Sequence, residues 1–140
     1  MRKVSERLHI APQLSADDIR RAKREGIAAI INNRPDGEEP GQPDAAGNAA
    51  VAAAEGLGYV HIPVVPGRIL LEQVRGFQRA LAAAPGPVLA HCKTGTRSAT
   101  LHVIGEVLDG RMAKADVIPF GRGLGLDLSG AVAWLDANRR

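Results

Sequence analysis

Residues 87–98 read PVLAHCKTGTRS, and this stretch decides the fold. Residues 87–90 form a short apolar run of strand length, which is typical of a strand buried on both faces of a sheet. The segment from Ala99 to Leu108 is apolar and helical in character. The sequence therefore predicts a buried strand, a tight loop containing Cys92 and Gly95, and a helix that begins directly after the loop.

On both sides of residues 87–98, strands and helices alternate along the chain. Strands are expected at 8–11, 27–31, 59–64 and 87–90, and helices at 15–25, 44–55, 70–84, 99–108, 113–118 and 129–137. This alternation predicts an α/β fold in which a mostly parallel central sheet is flanked by helices, and a single domain over residues 1–140. Ligands of such folds bind at the carboxyl ends of strands, which points to the loops after Ile31 and Ala90.

The composition of the chain argues against several classes of function. Of 140 residues, 45% are hydrophobic and 3% aromatic, and the net charge is only +3. Without a basic stripe or interleaved aromatic residues, no nucleic-acid binding is expected, and no apolar run reaches the roughly 20 residues of a membrane span. A polar start and one cysteine favour a reducing, cytoplasmic environment. The four histidines show no metal-ligand spacing, so no metal is expected. The sequence also gives no indication of a nucleotide or organic cofactor, and none is expected.

The loop after the strand 87–90 has the composition of an anion-binding site. Backbone N–H groups, the positive end of the helix dipole and the guanidinium of Arg97 all favour the ionised thiol, so Cys92 is expected to be a nucleophile. Gly95 allows a tight turn, and Ser98 is expected to cap the helix. The predicted anion-binding residues are Lys93, Thr94, Gly95, Thr96, Arg97 and Ser98.

The motif His-Cys-x-x-Gly followed by Arg-Ser resembles the signature of the protein tyrosine and dual-specificity phosphatases. The wider sequence more closely resembles the beta-lactamase hydrolase-like phosphatase-like domain family, also known as domain of unknown function 442. This resemblance rests on segments 10–15, 30–38, 59–64 and 91–99. It implies a phosphatase-like α/β fold.

Two departures from the phosphatase pattern favour sulfur chemistry. Four residues separate Cys92 from Arg97, whereas the phosphatase signature has five and many rhodaneses have four. No Asp occurs between Val60 and Cys92, where the phosphatases carry the acid that protonates the leaving oxygen. A rhodanese-like sulfurtransferase that forms a Cys92 persulfide is therefore the favoured interpretation. The alternatives are a phosphatase with a cysteinyl-phosphate intermediate, and a non-catalytic module that binds phospho-anions.

The expected partner is accordingly a small anionic sulfur donor or a phosphorylated substrate. The loop after Ile31 carries Asp36, Glu38 and Glu39, one of which could serve as general acid or hold Arg97, with Asp36 the candidate catalytic residue; all three could equally be solvated. Two further residues are assigned supporting roles. Arg34 is either a second anion contact or part of a salt bridge, and His91 either tunes the nucleophile or is buried and bonded to backbone.

Overall fold

A computed structural model describes residues 1–138, so the last two residues of the predicted 1–140 domain lie outside the described residues. The strands and helices alternate as the sequence predicts. In chain order they are β1 Arg2–Lys3, β2 Leu8–Ala11, α1 Ala16–Arg24, β3 Ala29–Asn32, α2 Ala45–Ala54, β4 Gly58–His61, α3 Leu71–Ala83, β5 Val88–His91, α4 Thr96–Leu108, a 3₁₀ turn Lys114–Asp116, α5 Val117–Gly123 and α6 Ser129–Ala137.

The strands of the described chain form one sheet in the order β1-β2-β5-β3-β4. The pairs β2–β5, β5–β3 and β3–β4 are parallel, and only β1 is antiparallel to its neighbour. The predicted fold class is therefore confirmed. β5 lies at the centre beside β3, so the loops that follow these two strands meet at one edge of the sheet.

Alternate residues of the central strands face two separate apolar clusters. Ile31 and Ala90 belong to the cluster on one face, which includes Phe77 of α3 and Leu101 of α4. Ile30 and Leu89 belong to the cluster on the other face, which includes residues of α1 and α2. Because both faces are covered by helices, the strands are buried on both sides, and this accounts for their continuous apolar runs.

Local signals set the element boundaries. The Ser15 side chain accepts a hydrogen bond from the Asp18 backbone, and the Asp18 carboxylate accepts one from the Ser15 backbone, which forms a capping box at the start of α1. The helix ends at Arg24, and Gly26, two residues later, has φ of +93°. In α5, Pro119 lies within the first turn, where its missing N–H removes no helical hydrogen bond.

The prediction that Ser98 caps α4 is wrong. The helix begins three residues earlier than expected, at Thr96, and Gly95 is the N-cap residue. Gly95 adopts φ of +95°, a left-handed conformation that permits the chain to enter the helix directly from the loop. Ser98 consequently lies inside the first turn of α4 and is fully buried.

Among residues 1–138, none of the helices combines the length and the apolar composition that crossing a bilayer requires.

Candidate active site

The candidate nucleophile lies between the end of β5 and the start of α4. The Cys92 side chain is buried, and its Sγ accepts a hydrogen bond from the Gly95 backbone N–H at 3.0 Å. The first turn of α4 follows at once, so the positive end of this 13-residue helix lies next to the sulfur. Both features favour negative charge at the start of α4.

The Arg97 guanidinium is held by three acceptor oxygens. Its Nη1 donates to Glu38 Oε2 at 2.8 Å and to the Val64 carbonyl at 2.9 Å, and its Nη2 donates to Glu38 Oε1 at 2.9 Å. The two bonds to Glu38 make a bidentate ion pair, in which a planar guanidinium matches a carboxylate. This pair joins the loop after β3 to the first turn of α4.

Glu38 also serves a second arginine. Arg34 is 1% exposed, and its Nε donates to Glu38 Oε1 at 2.8 Å. Its remaining nitrogens reach Glu39 Oε1 at 3.0 Å and Gln13 Oε1 at 3.1 Å. Of the two roles predicted for Arg34, the structure shows the salt bridge: its charge is neutralised by neighbouring acids.

Of the three acids in the loop after β3, Glu38 is the one that binds Arg97. Hydrogen bonds from Arg97 and then from Arg34 lower the pKa of Glu38 to about 2, although burial opposes the shift. Glu38 is therefore ionised at neutral pH, and it holds Arg97 in place rather than donating a proton.

Asp36 lies apart from this pair. Its Oδ1 accepts a hydrogen bond from the Ala45 backbone N–H at 2.8 Å, so its carboxylate supports the first turn of α2. Sequence reasoning selected Asp36 from three neighbouring acids, whereas Glu38 makes the contact with Arg97. We therefore do not assign proton donation to Asp36.

Lys93 points to the surface side of the loop. Its ammonium lies 3.6 Å from Glu39 Oε2, and its backbone carbonyl accepts a hydrogen bond from the Gln13 N–H at 3.2 Å. The hydrogen bond from Arg34 is the main reason why the pKa of Glu39 is lower than usual, and the Lys93 charge contributes next. The side chain of Lys93 thus helps to close the network around Arg34.

The hydroxyl groups of the loop bond to protein atoms. Thr94 Oγ1 lies 3.1 Å from Thr96 Oγ1, and Ser98 Oγ donates to Asn33 Oδ1 at 2.8 Å. In the structure they brace the loop, and Ser98 connects α4 to the end of β3.

Asn33 is the residue that sequence reasoning missed. Besides accepting from Ser98, it donates through its backbone N–H to the His91 carbonyl at 2.7 Å and through Nδ2 to the Ile62 carbonyl at 3.0 Å. It therefore connects three segments at the edge of the sheet. Its position directly after a buried strand, at the carboxyl end, was the signal that could have indicated it.

His91 is buried at the end of β5, with Nδ1 3.4 Å from the Cys92 carbonyl oxygen. Its Nε2 has no hydrogen-bond partner among the described residues. Burial is the main cause that lowers the pKa of His91 to about 4, so its ring is neutral at neutral pH. Of the two predicted roles, the structure shows the buried histidine bonded to backbone.

Residues 1–109 match the family model described as beta-lactamase hydrolase-like protein, phosphatase-like domain. The chain belongs to this family. The resemblance found in the sequence motifs is therefore confirmed, and the loop that holds Cys92 and Arg97 lies within the matched range.

Two curated relatives support this family membership. The chain is 46% identical over 134 residues to the beta-lactamase hydrolase-like protein of Agrobacterium fabrum (strain C58), covering 96% of this chain. It is 44% identical over 133 residues to the protein of the same name from Xylella fastidiosa (strain 9a5c), covering 95% of this chain. The chain spans only 31% of the length of each relative.

Among solved structures, a candidate phosphatase from Neisseria meningitidis Z2491 superposes with a TM-score of 0.86 and 36% identity, covering 98% of this chain and 96% of that one. TpbA of P. aeruginosa superposes with a TM-score of 0.73, over 95% of this chain and 81% of that one. At 20% identity, TpbA shows the shared fold alone. The phosphatase-like fold class is thus confirmed, and the comparisons favour the phosphatase alternative over the sulfurtransferase interpretation.

Proposed function

We propose that the chain is a cysteine-dependent phosphatase that hydrolyses phosphate monoesters. The observation that carries this proposal is the placement of Cys92 Sγ at the start of α4, bonded to the Gly95 N–H, in a segment whose first helical turn carries an Arg97 that Glu38 holds in position. The site combines a thiol nucleophile with fixed donors for a tetrahedral anion. Membership of a phosphatase-like family supports phosphate as that anion.

In the proposed reaction, the Cys92 thiolate attacks phosphorus and a sulfur–phosphorus bond forms as the bond to the ester oxygen breaks. The departing oxygen leaves with the bonding electron pair and takes a proton from solvent. Water then attacks the cysteinyl phosphate, which releases inorganic phosphate and regenerates the thiolate. Arg97 and the N–H groups of the loop stabilise the negative charge on the phosphoryl oxygens in both steps.

The acids around the site favour substrates with a good leaving group. Glu38 is ionised at neutral pH, Asp36 is bonded to the start of α2, and no Asp occurs between Val60 and Cys92. A phenol leaves readily without full protonation, whereas an aliphatic alcohol does not. We therefore expect aryl phosphates to be hydrolysed faster than alkyl phosphates. The TpbA structure that contains phosphotyrosine illustrates such a substrate on a protein of the same fold.

The direct test is hydrolysis of p-nitrophenyl phosphate by the wild-type chain and by Cys92→Ser. The wild type is expected to hydrolyse the ester. It should also yield a phosphorylated Cys92 peptide after acid quenching, because the cysteinyl phosphate is an obligatory intermediate. Cys92→Ser should lose at least about a thousandfold in kcat, since the nucleophile is gone. Circular dichroism and the melting temperature report whether the variant is folded. Activity that persists in folded Cys92→Ser would overturn the proposal.

Sulfur transfer is the second candidate, because four residues separate Cys92 from Arg97. A shorter loop surrounds a smaller ring of N–H donors, and this suits thiosulfate or a persulfide. Incubation with thiosulfate followed by mass spectrometry of the Cys92 peptide measures the gain of one sulfur atom. A persulfide that passes to an acceptor thiol, with no hydrolysis of any aryl phosphate, would replace the phosphatase by the sulfurtransferase.

A further inference from the structure

An open cavity of about 500 Å³ lies directly beside the candidate active site. Thr96 and Arg97, in the first turn of α4, form one of its walls. The segment after β4 forms a second wall, and α6 forms the third. The cavity has the volume of a small-molecule site, and it shares a residue with the group that would hold a phosphoryl anion.

The remaining lining is mostly apolar and includes the one tryptophan of the chain. Trp134 lies on α6, and its Nε1 donates to the Ile69 carbonyl at 2.8 Å, which fixes the ring against the opposite wall. Because the indole N–H is already bonded, the ring offers the cavity a flat apolar surface. Such a surface suits a flat apolar group rather than a charged one.

Gly130 leaves room in the α6 wall. A Cβ added at Gly130 would meet nothing within 4 Å, and the glycine has ordinary helical backbone geometry. A side chain at this position would therefore enter open space without straining the backbone. The neighbouring Ala133, which is also exposed, lines the same cavity.

We propose that this cavity, between the Arg97 turn of α4, Ile69 and Trp134, binds the leaving group of the phosphate ester, and that it selects flat apolar groups larger than a single aromatic ring. The assignment rests on the proposed function, in which Arg97 binds the phosphoryl group, and Arg97 also lines the cavity. The anion determines where the substrate binds, and the apolar walls determine which ester is bound best.

Kinetics with two aryl esters test the proposal. Naphthol and phenol are leaving groups of similar acidity, so the ratio of kcat/KM for 2-naphthyl phosphate to that for phenyl phosphate reports binding of the second ring. We expect the wild type to favour the naphthyl ester by about tenfold. Gly130→Leu should reduce this ratio to near one, because the leucine fills the space that the second ring needs.

Gly123→Leu is the matched control. Gly123 also lies in a helix with ordinary backbone geometry and open space around a Cβ, but it does not line the cavity. The control should keep the wild-type ratio. An equal ratio in all three proteins, or an equal loss in both variants, would overturn the proposal.

A binding measurement separates failure of the proposed function from failure of this inference. In the Cys92→Ser variant, Trp134 gives the single indole N–H signal of a ¹⁵N-labelled chain. Titration with 2-naphthyl phosphate should shift this signal, and inorganic phosphate at equal concentration should shift it much less. If the wild type hydrolyses no ester, the proposed function fails, and the indole shift still decides the cavity assignment. An unmoved indole signal would overturn it.

Discussion

At the scale of single residues, one carboxylate organises the site. Glu38 binds Arg97 through both oxygens and binds Arg34 through one of them, and the resulting pKa of about 2 keeps its charge at neutral pH. The carboxylate charge therefore orients the Arg97 guanidinium and compensates the buried charge of Arg34. In the proposed reaction Glu38 is a positioning residue, because it contacts Arg97 and has no direct contact with phosphate.

Glu38→Gln is expected to lower kcat/KM for p-nitrophenyl phosphate by about a hundredfold, because an amide cannot form the bidentate ion pair and Arg97 loses its orientation. Glu38→Asp should recover part of this loss, since it restores the charge. The control is Glu6→Gln, which removes an exposed carboxylate that pairs with Lys3. Full activity in folded Glu38→Gln would contradict this role.

The role of Glu38 could not be predicted from the sequence alone. The loop after β3 was expected to approach the Cys92 loop, and the fold confirms that both lie at the same sheet edge. The choice among Asp36, Glu38 and Glu39 depends on how a loop rich in Pro and Gly turns between residues 35 and 43. That path is set by tertiary contacts such as Arg97 to Glu38, 59 positions apart, which no local pattern encodes.

At the scale of elements, α4 carries the electrostatics of the site. Its start at Thr96 depends on Gly95, whose φ of +95° turns the N–H toward Cys92 Sγ. Apolar periodicity predicted the body of the helix and missed its first turn, which consists of polar residues. The two-residue strand β1 was missed for a related reason, because its exposed residues Arg2 and Lys3 lack any hydrophobic pattern.

Gly95→Ala and Gly110→Ala compare the two ends of α4. Both glycines have positive φ, so each alanine should cost about 1 kcal/mol of unfolding free energy in urea denaturation. Only Gly95→Ala should also lower turnover of p-nitrophenyl phosphate, by about tenfold or more, because the strained backbone moves the N–H that bonds the sulfur. Equal activities in the two variants would show that this N–H is dispensable.

At the scale of the whole molecule, the sheet explains how distant segments form one site. Parallel pairing of β5 with β3 places the loops after both strands at one edge, and the helices on both faces bury the strands. Sequence periodicity was sufficient for this architecture, because burial on both faces leaves a continuous apolar run. His91 is the buried last residue of the central strand β5. Its protonation state therefore affects the free energy of unfolding of the entire fold.

Stability is expected to fall as the pH is lowered from about 6.5 to 4. The pKa of His91 is about 4 in the folded chain and near 6.5 when unfolded, so in this window the unfolded chain binds more protons. The contribution is fully present above pH 6.5. Between pH 7.5 and pH 4.5, the wild type should lose about 2 kcal/mol more unfolding free energy than His91→Gln, as measured by urea denaturation. A difference that stays constant over this range would contradict the assignment.

The shared carboxylate also has an evolutionary consequence. A change at Glu38 alone leaves two guanidiniums without their common counter-charge, and a change at Arg97 alone leaves the carboxylate beside only one of them. Each single step is harmful, so Arg34, Glu38 and Arg97 are expected to be retained or replaced as a set during divergence. Divergent homologues that keep Cys92 but have lost one of the three should have lost the others and should have acquired a different means of holding the anion.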